Sequence, residues 1–197
     1  MARTLRKRLR FEAEPIKGSR FIATAAPAGD EDEAKALLEE LRAEWPDASH
    51  HCWAWRLATP AIERAGDDGE PGGSAGRPIL ASIVGRDLVD TAVIVTRWFG
   101  GTKLGVGGLV RAYGGTAAQV LDTGDYDEWV ARSIVEFTHT HAETGPVERA
   151  LAGVSGTVLD VDWGAEVRRR IQLPTAEIDA LWSVLADATN GRITPPE

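Results

Sequence analysis

Cys52 is the only cysteine, so an intramolecular disulfide is excluded and a reducing, cytoplasmic setting is expected. No apolar run approaches the roughly 18 residues of a membrane span. The first ten residues carry Arg3, Arg6, Lys7, Arg8 and Arg10 with no acid. No apolar stretch follows them, so they read as a basic arm rather than a secretory signal. Positive charge is scarce overall: 22 Lys and Arg stand against 30 Asp and Glu, a net charge of −8. That balance argues against a general nucleic-acid binder. No period repeats along the chain, which excludes a repeat architecture. What is present is a hydrophobic content of 43% in 197 residues. This supports a proper core and one large or two small domains.

The most informative stretch is Thr91 to Leu121. Val93 to Phe99 is β-branched and aromatic and predicts a buried strand. A turn follows with Gly100, Gly101, Gly105, Gly107 and Gly108, and then a helical pattern with Leu109, Val110, Tyr113, Ala117, Val120 and Leu121. A strand, a Gly-rich turn and a helix start can gather backbone N–H groups around an anion. Arg97, Lys103 and Arg111 add full charges. The alternative is that the glycines serve only a sharp turn and close packing. Two phosphate motifs fail here. Val106-Gly107 stands where a Walker A loop needs Lys-Ser/Thr, and the dinucleotide fingerprint lacks its third glycine. No cofactor is expected.

Phe11 to Ile16 and Arg20 to Ala25 predict a hairpin. Asp30 predicts a helix start with Glu33 three residues on, and Ala34, Leu37, Leu38, Leu41 and Trp45 share one face before Pro46 ends it. His50 to Leu57 predicts a strand. His50, His51 and Cys52 invite a metal or thiol reading, but neighbours on a strand point to opposite faces, so packing is expected. Ala58 to Gly76 predicts a long polar loop, of a length that is often functional. Asp68 and Glu70 within it offer a hard-cation site or an acid–base pair; a solvated loop with Asp–backbone turns is the alternative. Arg77 to Gly85 predicts a short helix with Ser74 as its cap.

Asp122 to Glu128 reads as a linker. Beyond it come a strand (Arg132 to His139), a helix (Glu143 to Gly153), two strands (Val154 to Asp162, Ala165 to Leu173), a helix from Pro174, and a last strand at Gly191 to Thr194. That order is β-α-β-β-α-β, a ferredoxin-like plan. The expected organisation is a basic arm and first strand at 1–17, an N-terminal domain at 18–124 and a C-terminal domain at 130–197, with an α+β fold class throughout.

Two segments resemble the signatures of the IMPACT family, in particular its bacterial YigZ-type members: Asp67-Asp-Gly-Glu-Pro-x-Gly-Ser-Ala-Gly-x-Pro78 and Thr96-Arg-Trp-Phe-Gly-Gly-x-x-Leu-Gly-x-Gly-Gly-Leu-Val-Arg-Ala-Tyr113. His50-His-Cys-Trp53 fits the same pattern, and Ser74 and Trp98 are mild departures from it. The resemblance spans about residues 18–122. It implies an N-terminal α+β domain like that of a small-subunit ribosomal protein and the translocase elongation factor, and a ferredoxin-like C-terminal domain like a late domain of that factor. The eukaryotic member that names the family acts in translational control, through a kinase pathway that bacteria lack.

The leading expectation is therefore a non-enzymatic cytoplasmic protein that binds RNA, the ribosome or a translation factor in regulation of translation. The binding set is Asp68, Glu70, Arg97, Gly100, Gly101, Lys103, Gly105, Gly107, Gly108 and Arg111. The alternative is an enzyme acting on a phosphorylated small molecule at the Gly-rich turn, with Asp68 and Glu70 as base or Mg²⁺ ligands. A third reading is protein scaffolding by the C-terminal domain, for which seven tryptophans offer anchors.

Overall fold

Thr91–Trp98 is a run of β-branched and apolar residues buried on both sides, and the N-terminal part of the protein is layered on it. The computed structural model describes residues 1–196, which divide between Trp129 and Val130 into two compact units. In the first unit a five-stranded sheet is formed by β2 (Leu9–Ile16), β3 (Ser19–Pro27), β4 (His50–Leu57), β5 (Ile62–Gly66) and β6 (Thr91–Trp98). Its order is β2-β3-β6-β4-β5, and every neighbouring pair is antiparallel.

Helices cover both faces of this sheet. On one face Ala23, Ala25, Cys52, Ala54, Val93 and Val95 pack against α2 (Gly76–Val84) and α3 (Val106–Asp122). On the other, Trp55, Leu57, Ala92 and Ile94 pack against Leu37, Leu38 and Leu41 of α1 (Glu31–Glu44). The α1 start is capped as expected: Asp30 accepts from the Glu33 N–H at 2.8 Å, and Glu33 accepts from the Gly29 N–H at 2.7 Å.

Two readings of loops change. The segment after β4 is not an uninterrupted loop, because β5 pairs with β4 within it. Its Glu63 and Arg64 hide the strand pattern, as suits a strand at the sheet edge. The segment after α3 holds β7 (Tyr126–Glu128), which pairs with β1 (Arg3–Leu5). The basic residues before and along β2 also find partners: Arg6 with Asp127, Arg8 with Glu40 and Arg10 with Glu44, at 2.6–2.7 Å. Such exposed pairs contribute at most about 1 kcal/mol each.

The second unit contains β8 (Arg132–His139), α4 (Thr144–Leu151), β9 (Thr157–Trp163), β10 (Val167–Pro174) and α5 (Ile178–Thr189). The antiparallel sheet has the order β8-β10-β9. Val135, Phe137, Ile171 and Leu173 form one face of it with Val147, Leu181, Trp182 and Leu185 of the two helices. The last strand expected at Gly191–Thr194 is not formed. Asn190 ends α5 in the left-handed region, the Ile193 N–H donates to Thr189 Oγ1, and the Ile193 side chain joins the core. The architecture of the protein is α+β in two domains.

Leu41 is fully buried between α1 and the sheet. Leu41→Ala is expected to lower unfolding free energy by about 2–5 kcal/mol, measured by urea titration.

Candidate functional site

The segment from β5 into α2 turns on Asp67. Its carboxylate accepts from the backbone N–H groups of Gly73 at 2.7 Å, Ala75 at 2.9 Å and Gly76 at 2.8 Å. These amides lead into the start of α2, so Asp67 does the capping expected of Ser74, whose Oγ is buried without a partner. Burial opposes ionisation of Asp67, but the three N–H donors and nearby Arg77 outweigh it and hold the carboxyl below its usual range.

Asp68 follows with φ of 44°, in the left-handed region. Its carboxylate accepts from the His51 N–H at 2.6 Å and from Arg42 at 2.9 Å. Its carbonyl lies 2.8 Å from His50 Nδ1, which must carry the proton there. The Cys52 thiol donates to the Asp67 carbonyl at 3.0 Å. Three consecutive residues of β4 thus latch two consecutive loop residues. The His51 ring itself points elsewhere, between Thr96 Oγ1 and the Trp45 carbonyl, and burial pushes its pKa down. Burial pushes the Cys52 thiol strongly up, which makes it a packing group and a donor rather than a nucleophile.

Glu70 reaches into the interior with 5% of its side chain exposed, against 4% for its partner Arg97. Arg97 Nη1 and the Tyr113 hydroxyl, the latter at 2.7 Å, both donate to Glu70 Oε1. Arg97 Nη2 donates to Ser19 Oγ at 3.1 Å, and its guanidinium lies 5.4 Å from the Phe21 ring centre and 5.5 Å from that of Phe99. Burial raises the Tyr113 pKa strongly and keeps it a phenol. Arg97 is therefore one half of a buried ion pair and not one of the solvent-facing cations of the Gly-rich turn. Nothing in the sequence marks Ser19 or Arg42 for the site, and Asp67 and Tyr113 are marked for it only as members of the two signature segments. In the sequence Tyr113 reads as part of the apolar face of α3 and as the last residue of the Thr96–Tyr113 signature.

The turn itself begins where two backbones touch. A Cβ on Gly100 would lie 1.9 Å from the Gly18 carbonyl carbon, so no side chain fits there, and the Gly100 N–H donates to Ser19 Oγ at 3.2 Å. Gly101 (φ 85°) and Gly105 (φ 71°) carry the chain through the left-handed region into α3. Gly105 offers α3 no side-chain cap; Gly107 and Gly108 lie in its first turn, which holds no acid. Lys103 and Arg111 are exposed and have no ion-pair partner among the described residues. Phe99, Val106 and Val110 are exposed as well. The ten sequence-selected residues thus fall into two sets. Asp68, Glu70 and Arg97 belong to an internal latch. Lys103 and Arg111, with the glycines between Gly100 and Gly108, form an open turn outside it.

Chemically, the latch carboxylates already accept protein donors, so their role visible here is to hold the loop. Glu70→Gln should leave the Arg97 charge buried and unmatched and lower stability by about 3–5 kcal/mol; Glu70→Leu combined with Arg97→Met should recover most of that loss in urea titrations. Asp67 makes a pH prediction. Its folded pKa lies below its ordinary 3.8. The stability it contributes is therefore complete above that pH and is lost as pH falls through the lower folded value. Asp67→Asn should flatten the acid limb of unfolding free energy below pH about 4.

Comparison with known proteins agrees with this architecture. The Impact N-terminal domain family matches residues 17–121, and a domain of unknown function, DUF1949, matches residues 137–192. The chain is 38% identical over 186 residues to the IMPACT family member YigZ of Escherichia coli, covering 91% of this chain and 90% of that protein. It is 40% identical over 182 residues to an IMPACT family member of Thermus thermophilus, covering 90% and 97%. A crystal structure of a hypothetical protein superposes with a TM-score of 0.80 at 33% identity, over 100% of this chain and 98% of that one. With the Impact N-terminal domain spanning residues 17–121 and relatives of 38% and 40% identity over nine-tenths of its length, this chain belongs to the IMPACT family.

Proposed function

We propose that this protein is a non-enzymatic binding module acting in regulation of translation, and that the open turn Phe99–Arg111 docks on RNA, on the ribosome or on a translation factor. The observation that carries the reading is the chemistry of that turn. Lys103 and Arg111 are exposed without ion-pair partners among the described residues, beside exposed Phe99 and an α3 start free of acids. Cations and backbone N–H groups suit phosphate, and an aromatic ring suits an unstacked base. A net charge of −8 makes such contact local rather than general. Membership of a family whose naming member acts in translational control supports the same direction. In this reading Asp68, Glu70 and Arg97 hold the loop behind the turn. Gly100, Gly101, Gly105, Gly107 and Gly108 shape its backbone, and Lys103 and Arg111 make the contacts.

The test uses Lys103→Ala with Arg111→Ala, which leaves the buried ion pair intact. Binding of ribosomes or short single-stranded RNA should weaken. The slope of log affinity against log salt should fall by roughly 0.7 for each phosphate contact removed. Unchanged affinity and slope would remove this turn as the binding face. A thermal shift with inorganic phosphate or nucleotides, lost in the same variant, would favour a phosphorylated small molecule instead.

A further inference from the structure

β9 is an outer strand of the sheet in the second unit. It pairs with β10 on one side, and no strand pairs with its other side among the described residues. Its two faces differ in chemistry. Away from the helices, Asp160 and Asp162 stand opposite Arg170 and Arg168. Toward the helices, Val158, Val161 and Trp163 stand opposite Ile171, Arg169 and Val167. The helical layer buries the core-side residues of β8 and β10 but leaves β9 uncovered: Val158 is 45% exposed, Leu159 45% and Trp163 58%. The Trp163 ring is nevertheless held in place. It stacks on His141 with centroids 6.1 Å apart, and the Arg169 guanidinium lies 5.9 Å from it. A fixed, exposed tryptophan beside unpaired backbone groups is what an interface anchor requires.

We propose that the free edge of β9 takes up an extended segment of another protein in which lysine or arginine alternates with apolar residues. An added strand would place alternate side chains beside the two faces of β9. Next to Asp160 and Asp162 the favourable neighbour is a cation. Asp160 has no ion-pair partner among the described residues, and Asp162 has Arg168 at 3.6 Å. Next to Val158, Val161 and Trp163 the favourable neighbour is apolar. A second copy of β9 is the wrong occupant, because its own Asp160 and Asp162 would be set against like charges. RNA phosphates meet the same repulsion.

The test titrates the full-length protein with a short peptide alternating lysine and valine, read by backbone amide shifts. Saturable shifts centred on β9 are expected, and they should vanish when alternate peptide nitrogens are methylated, since a methylated amide cannot donate to the strand. Asp160→Lys with Asp162→Lys should weaken the lysine peptide about tenfold and transfer binding to a glutamate–valine peptide. Trp163→Ser should weaken both. Retained binding of the methylated peptide, or equal binding of both peptides by wild type and the charge-reversed variant, would overturn the proposal. So would concentration-dependent self-association lost in Trp163→Ser, or short single-stranded RNA shifting the same amides.

Discussion

The ion pair between Glu70 and Arg97 governs the geometry of the N-terminal unit. Two charges taken out of water must be matched closely, and hydrogen-bonding capacity left over is costly; Arg97 Nε stays buried without a partner. Here the matching groups come from separate parts of the chain: Ser19 on β3, Arg97 on β6, Tyr113 on α3 and Glu70 on the loop. An apolar quartet of equal volume would fill the same space. What the charges add is direction: at this position of the loop Glu70 Oε1 takes both of its donors, Arg97 and Tyr113. Phe99 and the open turn follow directly from that position, since Arg97 packs under the Phe99 ring and Ser19 also holds the Gly100 amide.

The elements that repeat their pattern over several turns were legible from sequence. The α1 stripe from Ala34 to Leu41, the Asp30 cap, the β-branched run of β6 and the long α3 all carry their own local signal. Elements defined by a distant partner were not. β5 reads as loop because Glu63 and Arg64 carry no alternation, and β1 and β7 are too short to read at all. The strand expected near Ile193 rested on a single apolar residue, which went into the core instead. The site behaved likewise. Residue types marked Asp68, Glu70 and Arg97 as charged groups with work to do, but Glu70 meets Arg97 across 27 positions and Tyr113 across 43. No spacing rule carries that information, so a latch and an open ligand site look alike in the sequence.

The two units expose surfaces of opposite character. Around Phe99–Arg111 the exposed charges are positive and the exposed carbon belongs to Phe99, Val106 and Val110. Along β9 the charges are Asp160 and Asp162 and the carbon belongs to Val158, Leu159 and Trp163. A chain with an excess of acids thus has no acid within the Phe99–Arg111 segment, though Glu12 and Glu14 line a groove with Arg111, while the C-terminal sheet edge carries part of the excess.

The short ribbon of β1 and β7 bears on how the N-terminal unit is assembled. The β2–β3 hairpin closes over neighbouring residues and is available as soon as its own residues have left the ribosome. β1 is different: Arg6, just past it, finds Asp127 across 121 positions, after all five strands of the sheet and all three helices have been made. The ribbon of β1 and β7 therefore waits for nearly the last residues of the unit, and the loop it closes is the longest in it. During synthesis the sheet and helices can collapse with Arg3 already bonded to Asp87 and Val89, and the arrival of Tyr126–Glu128 gives β1 its antiparallel partner.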